Sequence, residues 1–358
     1  MKMIEKLKQV RKKALKEIPE LSERELNNPI SYWIKEDRLL NETGKEFTII
    51  LRTRGCRWAL SDTGGCSMCG YIKDSYIKNL KSHHIINQFQ KAWNAKIEEI
   101  EKDRSNFIIK IFNSGSFFDD EEISEDSREF IYQKINQVDK IKEIVVESRV
   151  EFLDKTKLKK MREMLGSKHI EIAIGLETSN DHIRINYLNK GLLYDDFLSA
   201  IKLCRSYQLG VRVYLLLKPP FLNEKSAIDD CIASIKKLIE LKVNTISINP
   251  VNIQKGTLVE YFWKRKLYRP PWFYSLIKCL KSAISSQETL NTTRVVSDPS
   301  GAGTSRGIHN CNGKFCNEKM KKILQKFVLT QNLNEIRYIE EKVDCDCKLK
   351  YHIQNIYS

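Results

Sequence analysis

No uninterrupted apolar run of transmembrane length occurs anywhere in the 358 residues, and no apolar signal region follows Met1. A soluble cytoplasmic protein with no membrane partner is therefore expected. No internal repeat or low-complexity tract is visible either. Acidic residues are in deficit, 46 against 61 basic ones, which gives a formal charge of +15. That imbalance suits a polyanionic partner such as RNA, although a lysine-rich solvated surface or a lysine-favouring coding bias gives the same count. The ten cysteines do not form the scaffold of a small secreted protein. The chain is too long for that, and they cluster as metal ligands do. With 41% hydrophobic residues the chain can build one large barrel-like domain plus an appendage.

The most informative stretch is residues 54–71, Arg-Gly-Cys-Arg-Trp-Ala-Leu-Ser-Asp-Thr-Gly-Gly-Cys-Ser-Met-Cys-Gly-Tyr. Cys56, Cys66 and Cys69 are separated by nine and then two residues. They follow the β-branched, apolar run Phe47–Leu51, so they lie on the loop leaving a strand, where parallel α/β folds place their chemistry. Three thiolates suit a soft metal or an iron–sulfur cluster with one iron left open for a small molecule. Gly64, Gly65 and Gly70 let the backbone wrap closely around such a group. Three unrelated buried cysteines, or a zinc loop completed from far away, are the alternative readings.

These residues resemble the radical SAM enzymes, in which three cysteines hold a [4Fe–4S] cluster whose open iron chelates S-adenosylmethionine. The usual first gap is three; a gap of nine is similar to the Elongator catalytic subunit group. The wider match, Cys-Arg-Trp through Gly-Gly-Cys-Ser-Met-Cys-Gly-Tyr, resembles the archaeosine-biosynthesis radical SAM proteins called RaSEA. The resemblance runs from about Trp33 to the last cysteine pair. It implies that Met68 lies against the adenine of the cofactor and that Tyr71 adds a contact.

The rest of the chain alternates short apolar strands with amphipathic helices. Strands are expected at Phe47–Arg52, Phe107–Phe112, Ile144–Glu147, Ile170–Leu176, Val211–Leu217 and Thr245–Ile248. Regular alternation argues for an α/β fold with a parallel sheet, a partial (βα)6 TIM-like barrel, which is also what the resemblance implies. Residues 1–46 read as a helical extension, with Trp33 and Ile34 in a connector, residues 47–300 as the radical SAM core, and residues 301–358 as a cysteine-rich module. Cys204, Cys231 and Cys279 fall in helical patterns and read as small buried hydrophobes.

Polar residues gather at strand ends. Ser114, Gly115 and Ser116 follow the second strand, where the family has a glycine-rich stretch that meets the methionine amino group; an ordinary βα turn is the alternative. Glu147 and Arg149 end the third strand, and an arginine there can grip a carboxylate bidentately, or else form a surface ion pair. Glu177 ends the fourth, placed to bind the SAM ribose or the substrate. The segment Tyr261–Trp272 alternates aromatic with basic residues, which suits looped RNA but also ordinary helix packing. Near the C-terminus, Cys311, Cys316, Cys345 and Cys347 make two pairs, the arithmetic of a closed zinc site, with His309 as a possible substitute ligand and a disulfide or free thiols as the alternative.

The resemblance further implies a lyase acting on tRNA position 15. The base there would be 7-cyano-7-deazaguanine joined to lysine through an amidine, and breakage of the C–N bond would leave archaeosine. An archaeosine synthase alpha-type partner (ArcS), which adds the lysine, and an electron donor are then expected partners. A radical SAM enzyme modifying another tRNA base, or a non-catalytic RNA-binding zinc protein, are the competing readings.

Overall fold

The computed structural model describes residues 3–356, apart from residues 79, 312, 338, 340–342 and 344. Eight strands form one sheet in sequential order: β1 (Ser31–Arg38), β2 (Thr43–Ile50), β3 (Phe107–Phe112), β4 (Ile141–Glu147), β5 (His169–Glu177), β6 (Gly210–Leu217), β7 (Thr245–Pro250) and β8 (Arg294–Val296). β1 pairs antiparallel with β2, and every later neighbour is parallel. All six expected strands are present. The antiparallel edge strand β1 takes up Trp33 and Ile34, which the sequence reading put in a connector, and β8 is the other addition.

The helices used below are α1 (Met3–Lys16), α2 (Ser82–Lys102), α3 (Glu125–Asn136), α4 (Lys155–Leu165), α5 (Tyr194–Ser206), α6 (Glu224–Glu240), α7 (Leu258–Trp263), α8 (Phe273–Ala283), α9 (Lys314–Thr330) and α10 (Cys347–Ile356). Sequence explains their ends. Ser124, Asp154 and Asn223 accept from the third residue of the helices they begin, satisfying amides that the first turn leaves unpaired.

Because side chains alternate along a strand, each strand serves two environments. Phe107, Ile109 and Ile111 of β3 join Ile144, Val146, Ile170, Ile172, Val211 and Val213 beneath the helices. The opposite face of the curled sheet carries a smaller apolar patch of Ile108, Val145 and Ala173, with Phe112 and Tyr214 against it. Beside it runs a buried charge network. Lys110 bonds Asp37 and Glu46, Arg212 reaches Glu171 at 2.9 Å, and Arg294 spans Glu143 at 2.9 Å and Glu171 at 3.0 Å. Burial alone would raise the Glu171 carboxyl, but Arg294 and Arg212 hold it well below the usual range. This network fills the inner face with paired charge, so the space left for chemistry lies toward the strands' C-terminal ends.

The C-terminal segment packs into the main core: Met320, Leu324, Phe327, Ile336 and Tyr351 belong to the same apolar cluster as the strands. Cys204, Cys231 and Cys279 are fully buried as expected. No helix among the described residues is long and apolar enough to cross a membrane.

Candidate active site

The loop leaving β2 carries Cys56, Cys66 and Cys69, all half-buried and unbridged. The three thiols are close enough to act on one another's ionisation. Loss of water, reinforced by neighbouring thiols, pushes Cys56 up to about 11 and Cys69 up to about 12, and burial raises Cys66 as well. Such thiols are protonated when free and would release protons on binding metal.

The backbone of this loop is clamped from outside. Arg11, buried on α1, donates to Gly64 O at 2.8 Å, Cys66 O at 3.2 Å and Cys69 O at 2.8 Å. Asn189 donates to Thr63 O and Gly65 O at 3.0 and 2.8 Å, and its own carbonyl accepts from Trp58 Nε1 at 2.6 Å. Gln254 Oε1 accepts from the Gly70 amide. Sequence reasoning missed Arg11 and placed Asn189 and Gln254 only in stretches that follow strands, with no contact assigned to them. Arg11 looked like one more basic residue of an amphipathic helix, and only its place on the apolar side of that helix could have singled it out.

Behind the loop lies Gly115. A Cβ there would stand 1.8 Å from Glu122 Oε1 and 2.7 Å from the Cys56 Cα, so only glycine lets these backbones meet. Glu122, also missed, is buried and accepts from Thr53 Oγ1 at 2.6 Å, Asn113 Nδ2 at 2.8 Å and the Ser116 amide at 2.8 Å. Burial pushes its carboxyl up to about 7 despite these bonds. Ser114 donates to Tyr71 O at 3.1 Å and Ser116 Oγ accepts from the Arg149 amide at 3.1 Å. Both serine hydroxyls therefore already shape the loop.

A narrow cleft opens beside the cysteines, lined by Gly115, Glu147, Arg149, Gly175 and Lys190 among others. Arg149 sits over the Trp58 ring at 5.1 Å and donates to Lys190 O at 3.1 Å. Burial pushes Glu147 up to about 7, with Lys190 opposing the rise and Glu177 adding to it. Glu177 pairs with Lys190 at 2.7 Å and takes a left-handed backbone angle, φ 68°, at an irregularity in β5. Burial would lower Lys190, but Glu177 outweighs that and holds the ammonium above its ordinary range. A non-glycine residue held in this conformation at a strand's C-terminal end is a mark of functional sites. Lys190 and Arg149 also act electrostatically on Cys66. The structure thus brings Gly115, Glu147, Arg149 and Glu177 together beside the cysteines, and adds Lys190. Met68 packs on an apolar cluster that includes Leu216, Val251 and Ile253, and Tyr71 is 54% exposed.

Around the same mouth, rings from three segments touch in series: Tyr187 to Phe221 at 5.5 Å, Phe221 to Phe262 of α7 at 5.2 Å, and Phe262 to Tyr261 at 5.7 Å. Arg265 lies 3.6 Å over Tyr261 and Arg306 lies 4.8 Å over Trp263. Of the aromatic–basic segment, Tyr268 and Trp272 are buried and present no free face, while Leu267 is 71% exposed. The sequence reading had counted Tyr268 among the stacking residues. The last four cysteines also come together, without His309, whose Nδ1 faces the Gly307 carbonyl at 2.8 Å.

A curled, largely parallel α/β half-barrel carries a three-cysteine loop at its C-terminal mouth, and the clamped loop, the neighbouring thiols and the glycine cradle fit a [4Fe–4S] cluster with SAM beside it. No protein-family model matches the chain. It is 39% identical over 352 residues to an uncharacterised protein of Methanocaldococcus jannaschii, covering 98% of this chain and 92% of that one. It is 37% identical to the archaeosine synthase subunit beta of Methanosarcina acetivorans (90% of this chain, 88% of that one) and of Thermococcus kodakarensis (91% and 97%). A solved structure of Methanocaldococcus infernus Elp3 aligns with TM-score 0.48 at 17% identity, over 68% of this chain and 59% of that chain. The chain belongs to the archaeosine synthase subunit beta family.

Proposed function

We propose that the protein is a radical SAM carbon–nitrogen lyase that completes archaeosine in tRNA, releasing it from the lysine adduct of 7-cyano-7-deazaguanine at position 15. The observation that carries this reading is the cleft of paired charges directly beside the three-cysteine loop. A [4Fe–4S] cluster held by Cys56, Cys66 and Cys69, with SAM beside it, would supply the removal of a hydrogen atom from the lysine carbon next to the amidine nitrogen; loss of one further electron and addition of water there would let the C–N bond break, the amidine keeping the nitrogen and the lysine carbon leaving as an aldehyde.

Each residue then has a role that its surroundings support. Cys56, Cys66 and Cys69 hold the cluster, and Arg11 and Asn189 fix the carbonyls of their loop. Arg149 suits the carboxylate of SAM, with Lys190 adding positive charge, and Glu147 suits its ammonium. Glu177 orients Lys190 and is positioned for the ribose or the substrate. Met68 and the apolar cluster behind it offer a surface for adenine. Gly115 lines the cleft, and its lack of a side chain lets the cysteine loop approach there.

Substrate entry is matched by the row of rings from Tyr187 to Tyr261 and the arginines beside it. Base-stacking faces among cations suit a looped nucleic acid, and the +15 charge supports a polyanionic substrate. Base 15 lies in the tRNA core and must be exposed to react, which costs unstacking energy that such a surface can return. An ArcS-type alpha subunit that adds the lysine would be the partner.

The test is an anaerobic reaction of reconstituted protein with SAM, a reductant and tRNA carrying the lysine adduct, analysed by mass spectrometry of the digested RNA. Archaeosine and 5′-deoxyadenosine are both expected, and neither from a Cys66→Ala variant. 5′-Deoxyadenosine without archaeosine would keep the radical chemistry and refute the substrate.

A further inference from the structure

Far from the cleft in sequence, four thiols meet that the proposed reaction does not use. Cys311 lies in the loop before α9, Cys316 in its first turn, Cys345 just before α10, and Cys347 at its start. Their sulfurs all lie within 4.8 Å of one another, with Cys311 to Cys345 at 3.9 Å and Cys316 to Cys347 at 3.7 Å. Four sulfurs about 2.3 Å from one central ion stand about 3.8 Å apart along a tetrahedral edge. The observed pairs match that edge. In a four-iron cube each thiolate sits on its own iron, so the ligands stand much further apart. The geometry points to a single ion.

The surroundings are those of thiolates carrying net negative charge. Asn310 Nδ2 donates to Cys316 Sγ at 3.5 Å, and the Tyr274 hydroxyl lies 3.5 Å from Cys347 Sγ, placed to donate to a thiolate. A zinc ion with four thiolates leaves two negative charges, and the half-buried Arg269 supplies a compensating one. Its guanidinium is held by the carbonyls of His309 and Asn310 at 2.8 and 3.0 Å and stacks on Trp272 at 3.7 Å, within electrostatic reach of Cys347 and Cys311.

What the ion would secure is also visible. β1 and β8 are the two free edges of the sheet, and the far end of α9 touches both. Leu329 O accepts from Arg38 of β1 and from Thr43 Oγ1 at the start of β2, at 3.4 and 2.9 Å. Gln331, just past α9, pairs with β8 as a strand would: its Oε1 accepts from the Val295 amide at 2.9 Å, and its Nε2 donates to Val295 O at 2.8 Å. The helix that bridges the gap in the barrel therefore begins at one of the four thiols. We infer that Cys311, Cys316, Cys345 and Cys347 hold one zinc ion, which fastens α9 and α10 to the barrel and keeps the bridge between its edges in place.

This inference does not rest on the proposed reaction. The experiment is metal analysis and zinc-edge X-ray absorption on the intact protein, purified anaerobically from zinc-containing medium. One zinc per chain with four sulfur neighbours at about 2.3 Å is expected. The same zinc should remain in a variant with Cys56, Cys66 and Cys69 all changed to Ala, which has no first cluster. Cys345→Ser should lower bound zinc at least about tenfold. If that variant does not fold, alkylation of the wild-type protein decides: the four C-terminal thiols should be protected until a zinc chelator is added. Iron at these four thiols, two disulfides, or immediate alkylation of all four would overturn the inference.

Discussion

Changing Gly115 to Ala tests how closely the cofactor cleft depends on contact between two backbones. The new Cβ would stand 1.8 Å from Glu122 Oε1, where ordinary contact begins at 3.4 Å, and 2.7 Å from the Cys56 Cα. Glu122 cannot swing aside freely, because three donors hold its carboxylate in a buried site. Cys56 offers backbone, which is harder still to move. The strain is relieved either by breaking the Glu122 bonds or by pushing the cysteine loop outward. Overpacking of this kind costs about 1–3 kcal/mol. A displacement near 1 Å of a group that positions reactants costs on the order of 100-fold in rate. The variant should therefore fold, with its unfolding midpoint lowered, and should cleave SAM roughly 100-fold more slowly per bound cluster. The assay is 5′-deoxyadenosine production under anaerobic conditions, normalised to iron content. Adding Glu122→Ala removes one of the two clashes and should restore part of the rate. A Gly115→Ala protein with wild-type iron and wild-type 5′-deoxyadenosine production would refute the reasoning.

Three further outcomes follow from other contacts. Arg11→Ala removes three charge-assisted bonds to the cysteine loop and should cost about 2–3 kcal/mol, with faster loss of iron during dilution; iron retention equal to wild type would argue that α1 does not hold the loop. Glu147 titrates near 7, so its carboxylate forms as pH rises from 6 to 8, and SAM, a cation, should bind up to about tenfold more tightly across that range by anaerobic calorimetry. Glu147→Gln should flatten that dependence, and an unchanged slope would assign it to another group. Glu171, held well below its ordinary value, contributes stability that is complete above the normal glutamate range and is lost as pH falls through its folded value. Glu171→Ala should cost about 3–5 kcal/mol at neutral pH by stranding Arg212 and leaving Arg294 with Glu143 alone, and a loss under 1 kcal/mol in denaturant unfolding would contradict the network's role.

Much of the fold was legible because apolar runs in β3 to β7 are short, β-branched and regularly spaced between amphipathic helices. β1 was not, since Ser-Tyr-Trp-Ile-Lys-Glu-Asp-Arg carries four consecutive charged residues, of which Lys35 and Asp37 are paired with Glu46 of β2 and Lys110 of β3. β8 is three residues long and leaves no period to read. At the site, Cys56, Cys66 and Cys69 announced themselves by spacing, and Glu147, Arg149 and Glu177 by their places at strand ends. Arg11 and Glu122 did not, and the contacts of Asn189 and Lys190 were not legible, because each acts through a partner 9 to 124 residues away in the chain. Tyr268 shows the reverse error: its neighbours in sequence suggested an RNA-facing ring, but its hydroxyl donates to Lys218 O at 2.6 Å inside the protein.

The central claim is that a radical formed at the three-cysteine loop acts on the lysine carbon joined to the amidine nitrogen. The most direct measurement uses tRNA whose lysine adduct carries deuterium at that carbon alone, with mass spectrometry of the 5′-deoxyadenosine formed. Deuterium in 5′-deoxyadenosine, appearing in step with archaeosine, is the predicted result. Archaeosine formed with no deuterium transferred would contradict the account and move the reacting position elsewhere.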